Sequence, residues 1–368
     1  MKGRILLTLI TAFFAFLPIT AFGGGLPVTG AVYAMSNAPE GNEIVVFDRD
    51  LRGRLTLQGS YATAGLGTGG NIDPLGSQGS LILSKNKRWL IAVNAGSNDI
   101  SVFRVRRHGL ELVDNVDSGG SFPVSVTLDR NLVYVLNAGQ DGNGPNIAGF
   151  QLNRYGELTP MDGSTRELGP GGFHQVGFNP RGDALVISQG DGAGVNAINV
   201  FGIDEDGYAD DAATVSSSSG VVPLGFIFDW RGHLLVSEAG SGAVSSYAIQ
   251  DDLTLAIISA SVPNGNLATC WIAGTWWGGV FTSNTGSDNI SIYKAKAGTG
   301  KVQLKDADAA SGDKPIDMAT TRDGRFLYVL NAGNGTVGAF RISPFGGIKN
   351  IGEVGGLPPV FGQGIAVR

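Results

Sequence analysis

Apolar and polar residues follow one another along the chain in short runs, and one arrangement of these runs recurs seven times. Each copy has an apolar run, a small polar or glycine-rich turn, and a second apolar run. Runs of about four to eight residues that are rich in Val, Ile, Tyr and Phe are typical of β-strands. The paired runs occupy residues 31–48, 89–105, 132–152, 184–203, 233–249, 279–295 and 326–342. They predict seven antiparallel pairs of buried strands.

Two further runs flank each pair. A β-rich run precedes it, as in HQVGFN at 174–179, and a weaker polar run follows it, as in GELTPMDG at 156–163. The first run of each pair ends at a polar residue, and these residues recur 43 to 57 positions apart: Asn37, Asn94, Asn137, Gln189, Glu238, Asn284 and Asn331. Four strands in a repeat of about 45 residues are typical of propeller blades. The pattern therefore predicts an all-β fold, a seven-bladed β-propeller with four-stranded blades.

The C-terminal run predicts how the ring closes. GQGIAV at 362–367 matches the run that begins another repeat, GSQGSLIL at 76–83. We expect the C-terminal run to form the inner strand of blade one, which leaves no open sheet edge. Residues 24–368 are therefore predicted to form a single propeller domain.

The N-terminus has the order of segments found in a secretory signal peptide. Lys2 and Arg4 precede an apolar run at 5–16, and the small residues Ala21 and Gly23 follow. We predict a signal peptide over residues 1–23 and export to the periplasm or the extracellular space, without stable membrane insertion after cleavage. An uncleaved anchor is the alternative, but the apolar run is short for a membrane span.

Composition narrows the class of protein. The chain has 58 glycines in 368 residues and 16% charged residues, against about 25% charged residues in a typical domain. A disordered chain and a mainly helical one are therefore excluded. The net charge of −6 without a basic run argues against a nucleic-acid partner. Cys270 is the only cysteine, so neither an intrachain disulfide nor a cysteine metal site is expected.

Blade geometry predicts where chemistry could take place. The inner strand of a blade begins on the face at which the second strand ends, so both sets of residues are expected around one mouth of the central channel. His174 begins an inner strand in blade four, and Glu238 ends a second strand in blade five. Both are ionisable where the other repeats carry neutral residues. We predict that His174 is a general acid or base and that Glu238 orients it or activates water; a surface ion pair is the alternative.

Amide side chains are expected around the same mouth, where their donors and acceptors would suit an oxygen-rich small molecule. The predicted substrate-binding residues are Gln78, Gln175, Gln189, Asn94, Asn137, Asn284, Asn331, Gln363 and, for an anionic group, Arg166. For the asparagines, a structural role is the alternative, because an Asn side chain bonds the backbone in turns.

No cofactor is expected from the motifs. The three histidines lack zinc-site spacing. Asp141 and Asp191 lie in glycine-rich loops and could bind Ca²⁺, but the spacing is not that of an EF-hand. Trp276 and Trp277 replace the usual turn of blade six, and they either pack on the next blade or form a binding surface.

Three segments, LYVLNAGNGTVGAFRI (327–342), WLIAVNAGSNDISVFRV (89–105) and GPGGFHQVGFNPRGDAL (169–185), resemble the lactonase-like seven-bladed propellers. That family includes propeller-type 6-phosphogluconolactonase and carboxy-cis,cis-muconate cyclase, and the resemblance is to an exported bacterial branch. It implies that His174 corresponds to the family's histidine at the start of an inner strand and Glu238 to its channel carboxylate. The family's arginines for a carboxylate or phosphate have no clear match here.

The function predicted from the sequence is hydrolysis of a small lactone by His174 and Glu238 at the channel mouth. A non-catalytic periplasmic or extracellular binding propeller, with a protein or a small molecule as its partner, is one alternative. A muconate-type lactonising isomerase is another.

Overall fold

The computed structural model describes residues 26–140, 142–192, 194–310 and 312–368. These residues form 29 strands. The first sixteen are β1 (Val28–Met35), β2 (Glu43–Asp50), β3 (Leu55–Ala62), β4 (Leu81–Leu83), β5 (Trp89–Asn94), β6 (Asp99–Arg106), β7 (Gly109–Asp117), β8 (Pro123–Asp129), β9 (Leu132–Asn137), β10 (Asn146–Leu152), β11 (Leu158–Pro160), β12 (Arg166–Glu167), β13 (Phe173–Phe178), β14 (Ala184–Gly190), β15 (Asn196–Gly202) and β16 (Thr214–Ser217). The others are β17 (Pro223–Phe228), β18 (Leu234–Glu238), β19 (Ala243–Ile249), β20 (Leu255–Pro263), β21 (Thr269–Gly274), β22 (Gly279–Asn284), β23 (Asn289–Ala295), β24 (Val302–Ala310), β25 (Pro315–Thr320), β26 (Phe326–Asn331), β27 (Thr336–Ile342), β28 (Ile348–Gly355) and β29 (Gln363–Val367).

The strands pair as seven antiparallel sheets, each of which is one blade. From the inside outward, the blades are β29-β1-β2-β3, β4-β5-β6-β7, β8-β9-β10-β11, β13-β14-β15-β16, β17-β18-β19-β20, β21-β22-β23-β24 and β25-β26-β27-β28. The inner strands contact one another around a closed ring. The predicted all-β, seven-bladed propeller with four-stranded blades is confirmed. The predicted signal peptide at 1–23 lies outside the described residues, and the part of the chain that is described holds no helix able to cross a membrane.

Blade three departs from the regular pattern at its outer edge. Its outermost strand is divided into β11 and β12, which pair with different parts of β10. Pro160 ends β11, and proline has no N–H to continue the ladder. Ser164 then bonds Gly149 through its hydroxyl, so the edge remains attached between the two short strands.

The two ends of the described chain meet in blade one, as predicted. β29 pairs with β1 through four residue pairs, from Val32–Val367 to Met35–Gln363. The Asp317 carboxylate, in β25 of blade seven, accepts a hydrogen bond from the Ile365 amide at 3.2 Å. The closing strand is thus held by both of its neighbours.

An aromatic residue is repeated at the same place in the third strand of every blade. These side chains are almost fully buried, with at most 2% of their surface exposed: Phe47, Phe103, Phe150, Phe201, Tyr247, Tyr293 and Phe340. Burying an aromatic side chain stabilises a fold by about 2–3 kcal/mol. The repeat therefore places one large apolar group between neighbouring sheets around the whole ring.

The ring has two faces. We call the face where the second strands end the clasp face, and the seven residues at those ends the clasp residues: Asn37, Asn94, Asn137, Gln189, Glu238, Asn284 and Asn331. The opposite face, where the first and second strands of a blade are joined, is the turn face.

Candidate functional site

The clasp residues are buried and bonded within the ring. Asn94 donates to Asp99 at 2.6 Å and to Ser101 at 2.8 Å. Asn137 donates to the Asn146 side chain at 2.9 Å and accepts from the Ser118 hydroxyl at 2.7 Å. Each clasp therefore ties a second strand to the strand or loop beside it.

The remaining amide clasps follow the same plan. Asn284 bonds Asn289 and Ser291, Asn331 donates to Thr336 at 3.1 Å, and Gln189 donates to the Pro170 carbonyl at 3.0 Å. A role in substrate binding stays a prediction for the five amide clasps for which it was made, Asn94, Asn137, Gln189, Asn284 and Asn331, and the contacts give each a structural role.

Glu238 is the clasp of blade five and has no exposed surface. Its carboxylate accepts hydrogen bonds from three serine hydroxyls: Ser245 at 2.5 Å, Ser261 at 2.7 Å and Ser218 at 3.2 Å. Hydroxyl donors offset the cost of removing a carboxylate from water. Glu238 is thus built into its own blade.

His174 lies in the inner strand β13, and its ring joins two backbone segments. Nδ1 is 2.6 Å from the Gly76 carbonyl oxygen, and Nε2 is 2.7 Å from the Gly190 carbonyl oxygen. Carbonyl oxygens only accept, so the imidazolium donates both bonds whereas a neutral ring donates one. No hydrogen bond among the described residues joins His174 to Glu238. Their predicted catalytic pairing stays a prediction, and each side chain has hydrogen-bond partners of its own.

A short segment, Gly76–Gly79, crosses the central channel. The Gln78 side chain forms two hydrogen bonds with the Ile272 backbone of blade six, at 2.8 and 3.1 Å. The Ser77 carbonyl accepts from the Trp271 indole at 2.8 Å. The Ser77 hydroxyl donates to the Val124 carbonyl of blade three at 2.8 Å. We call this segment the plug, because it links blades three and six across the channel.

Gly225 makes room for the plug. A Cβ at this position would lie 2.1 Å from Gln78 Oε1, so a residue with a side chain could not be accommodated without movement. Gln175 makes a similar pair of bonds, with the Phe226 backbone of the next blade. Gln363 donates to Ser77 at 2.9 Å. Gln78 and Gln363 therefore anchor the plug in the channel, whereas Gln175 joins two adjacent inner strands.

Arg166 lies at the outer edge of blade three, in β12. Its guanidinium donates to four carbonyl oxygens, those of Gly163, Thr165, Ala209 and Asp210, at 2.6 to 3.0 Å. These bonds join blades three and four away from the inner strands. The structure does not bring Arg166 to the channel mouth.

The clasp face does contain a polar depression of about 600 Å³. The glycine-rich loop at 67–74 forms one wall, and Asn98, Phe122 and Gln140 form the other. Asp73 is the one ionisable group among the described residues that line it. Asp73 directly precedes the plug, so the depression reaches the mouth of the channel.

The environment of Asp73 changes its acidity. Burial raises its pKa to about 7, against the smaller lowering effects of the Gly76 and Ser77 amides and the Gln363 side chain. One carboxylate oxygen, Oδ1, is buried and has no hydrogen-bond partner among the described groups. A buried carboxyl group that titrates near neutrality can both accept and donate a proton at physiological pH.

Two more buried groups lie close enough to interact with Asp73. Burial raises the pKa of Asp317 to about 7, the Met318 and Ile365 amides oppose this, and the charge on Asp73 raises it further. Burial, together with the charge on Asp73, also raises the pKa of Cys270. The channel mouth is therefore a low-dielectric site that disfavours a second negative charge.

Sequence reasoning missed Asp73, although one signal for it was present. The spacing between Asn37 and Asn94 is the longest of the series, at 57 residues. The additional length is the glycine-rich loop at 67–74 and the plug. An insertion in one repeat of a regular series marks a loop with its own function, because the fold itself does not need it.

The described residues contain no group of three or more His, Cys, Asp or Glu side chains that could hold a metal ion. Of the two loop aspartates considered for Ca²⁺, Asp141 lies outside the described residues. Asp191 accepts hydrogen bonds from the Gly194 and Val195 amides at 3.0 and 3.1 Å.

Comparison with known proteins agrees with this architecture. The model of a family described as "Lactonase, 7-bladed beta-propeller" matches residues 40–172 and 275–354. A 6-phosphogluconolactonase of Formosa agariphila is 23% identical over 312 residues, which cover 73% of this chain and 82% of that protein.

Solved structures show the same fold. The periplasmic gluconolactonase of Pseudomonas aeruginosa superposes with a TM-score of 0.70 at 18% identity, over 92% of this chain and 98% of the other. A protein from Lactobacillus plantarum gives a TM-score of 0.73 at 17% identity, over 93% and 100%.

Proposed function

This chain belongs to the family of seven-bladed β-propeller lactonases, and from that premise we propose that it hydrolyses a small neutral lactone in the clasp-face depression. The observation that carries the proposal is the position of Asp73, the one ionisable group among the described lining residues. Asp73 would take a proton from the attacking water as general base. The ring C–O bond of the tetrahedral intermediate would then break, and Asp73 would return the proton to the ring oxygen to give the hydroxy acid.

The loop at 67–74 offers donors for the developing oxyanion. The backbone N–H groups of Gly70 and Asn71 donate to no other described group, and both residues line the depression. Backbone donors that face a developing negative charge are a common source of transition-state stabilisation. Thr68, Asn98 and Gln140 would bind substrate hydroxyls.

The absence of basic side chains among the described lining residues supports a neutral substrate. A phosphorylated lactone needs a cation to balance its charge, and a phosphate beside Asp73 would be repelled. A neutral substrate agrees with the name of the similar periplasmic gluconolactonase. It agrees less well with the name of the relative that acts on a 6-phospho substrate. In this proposal His174 positions the loop through Gly76, and Glu238 supports blade five.

The deciding experiment compares hydrolysis of glucono-1,5-lactone and of its 6-phosphate by the parent and by Asp73→Asn. We expect turnover of the neutral lactone, preference over the phosphate, and a loss of kcat of about 10²-fold or more in Asp73→Asn. Asp206→Asn, in an exposed turn, is the matched control and should retain full activity.

The same assay tests the sequence-based pair. Under the present proposal, Glu238→Gln alters stability more than turnover, and His174→Ala raises KM through the loop. If Asp73→Asn is fully active and both His174→Ala and Glu238→Gln are inactive, then His174 and Glu238, and not Asp73, are the catalytic residues. Lactone binding without turnover by the parent would instead favour the non-catalytic binding propeller.

We also propose that the protein is exported. The support is the charged, apolar and small-residue order of residues 1–23. Fractionation of the producing cells, with N-terminal sequencing of the mature protein, tests this. Retention of Met1 on a cytoplasmic product would contradict it.

A further inference from the structure

The turn face differs from the clasp face in its charge. Basic residues occur in five of the six turns that join first and second strands: Lys85, Lys87 and Arg88 in blade two, Arg130 in blade three, Arg181 in blade four, Arg231 in blade five, and Arg322 and Arg325 in blade seven. The sixth turn, in blade six, carries Trp276 and Trp277 instead. Blade one has no such turn, because its two inner strands come from opposite ends of the chain.

These cations are not all neutralised in the same way. Arg130 pairs with Asp129 at 2.9 Å and Arg181 with Asp183 at 3.0 Å, each within its own turn. In contrast, Arg322 and Arg325 of blade seven form no ion pair with any described carboxylate. Lys87, Arg88 and Arg231 likewise form none, so cations without an ion pair among the described residues occur in blades two, five and seven.

A cavity of about 590 Å³ opens beside these residues, between blades five and six. Two tryptophans line it and are largely exposed, Trp230 at 59% and Trp276 at 66%. Arg322 also lines it, from blade seven, as does Lys85 from blade two, which is paired with Asp129 at 2.6 Å. The Asp229 carboxylate in its wall is engaged by His233 at 2.7 Å. The cavity thus combines exposed indole faces with cations.

A second cavity, of about 890 Å³, lies next to the first and shares Trp276 with it. Arg325, Arg341 and Lys349 line it, and none of them forms an ion pair with a described carboxylate. Its one described acid, Asp323, accepts hydrogen bonds from Thr321 and from the Arg325 amide. We call the two cavities together the tryptophan groove.

We propose that the tryptophan groove binds an acidic oligosaccharide, a chain of carboxylated sugars. Indole rings provide flat apolar surfaces for the C–H faces of sugar rings, and guanidinium groups bind carboxylates in a bidentate manner. The two cavities meet at Trp276, so the groove accepts at least two consecutive sugar units. A flat anionic membrane fits less well, because both tryptophans line concave surfaces. The net charge of −6 disfavours nucleic acid.

The experiment titrates the full protein with tetragalacturonate. Binding is measured by the change in tryptophan fluorescence and by the heat released in titration calorimetry. The methyl-esterified tetrasaccharide serves as the uncharged probe of the same shape. We expect saturable binding of the acid form, weakening with salt, and much weaker binding of the ester. Trp276→Ala and Arg322→Ala should each weaken binding by roughly tenfold, equivalent to about 1.4 kcal/mol.

Tyr155→Ala is the matched control. Tyr155 is an exposed aromatic residue with Arg154 stacked on it at 4.7 Å, but it does not line the groove; this variant should bind normally. Equal binding of acid and ester, stronger binding of anionic vesicles or of single-stranded DNA, or no binding at all would each overturn the proposal. Lactone turnover in the Trp276 and Arg322 variants should be unchanged, since the groove and the clasp-face depression lie on opposite faces.

Discussion

Burial of Asp73 sets the pH range in which this residue can act as a general base. Its pKa of about 7 means that the carboxylate form, which acts as the base, is lost as the pH falls below neutrality. We expect kcat/KM for a neutral lactone, which reports the pKa of the free enzyme, to fall about tenfold per pH unit below pH 7 and to level off above it. A pH–rate profile measures this, with lactone hydrolysis in buffer alone subtracted. A profile that is flat from pH 5 to 8 would exclude Asp73 as the base.

The raised pKa of Asp317 affects the pH dependence of the free energy of unfolding rather than that of activity. Burial raises its pKa from 3.8 to about 7, so the folded protein holds this proton to higher pH than the unfolded chain does. The stabilising contribution is therefore complete below about pH 4 and is lost as the pH rises to about 7. We expect Asp317→Asn, which does not titrate, to gain stability relative to the parent as the pH is raised from 4 to 8.

Urea unfolding at several pH values tests this, with the exposed Asp206→Asn as control. Parallel pH dependences of the parent and Asp317→Asn would show that Asp317 titrates normally in the folded protein.

Prediction from the sequence was least complete at the level of residues. The positions of Gln78, Gln175 and Gln363 near the channel follow from the repeat, but their backbone partners do not, and these lie in blade six, in the adjacent blade five and in the plug, respectively. Such pairing depends on the distance between blades, which a one-dimensional pattern does not contain. Sequence reasoning missed Asp73 for a related reason: its burial arises from the folding of an inserted loop against blade one.

The repeated aromatic of the third strands is the clearest feature at the level of elements. Phe103 is fully buried between neighbouring sheets. We expect Phe103→Ala to lower the free energy of unfolding by about 3–5 kcal/mol, through lost transfer energy and a cavity. Phe345, which is 99% exposed, is the matched control. Phe345→Ala should change the free energy of unfolding by less than about 0.5 kcal/mol. Equal effects in the two variants would contradict the packing role.

The strands themselves were predicted well, because alternation and turn residues are local signals. The inner run expected at 174–179 corresponds to β13 to within a residue, and the paired run expected at 89–105 corresponds to β5 and β6. The divided outer strand of blade three was not anticipated. Outer strands are polar and half-exposed, so their hydrophobic signal is weak.

Ring closure governs the stability of the whole molecule. Removing residues 363–368 would delete β29, expose the edge of β1 and leave the Asp317 carboxylate without the Ile365 amide. We expect a loss of about 3 kcal/mol or more and, for a domain of this length, a Tm lowered by roughly 4 °C or more, with a tendency to associate through the open edge. Calorimetry and light scattering measure both effects.

A peptide that spans 360–368, added in trans, should restore part of the lost Tm if the missing strand is the cause. An unchanged Tm in the truncated protein would mean that closure contributes little. The ring and its closure were predictable from sequence, since seven strand pairs preceded by only six inner runs, with a seventh inner run isolated at the C-terminus, allow few other arrangements.

The position of the two ends in blade one also determines how the molecule responds to force. The start of β1 and the end of β29 lie at the same end of one antiparallel pair, where the Arg368 amide bonds the Ala31 carbonyl. Tension applied between these points pulls the hydrogen bonds apart one after another, as in a zipper, rather than loading them together in shear. We therefore expect a ring whose closure stabilises it against thermal unfolding to open at low force, because β29 separates from β1 one hydrogen bond at a time.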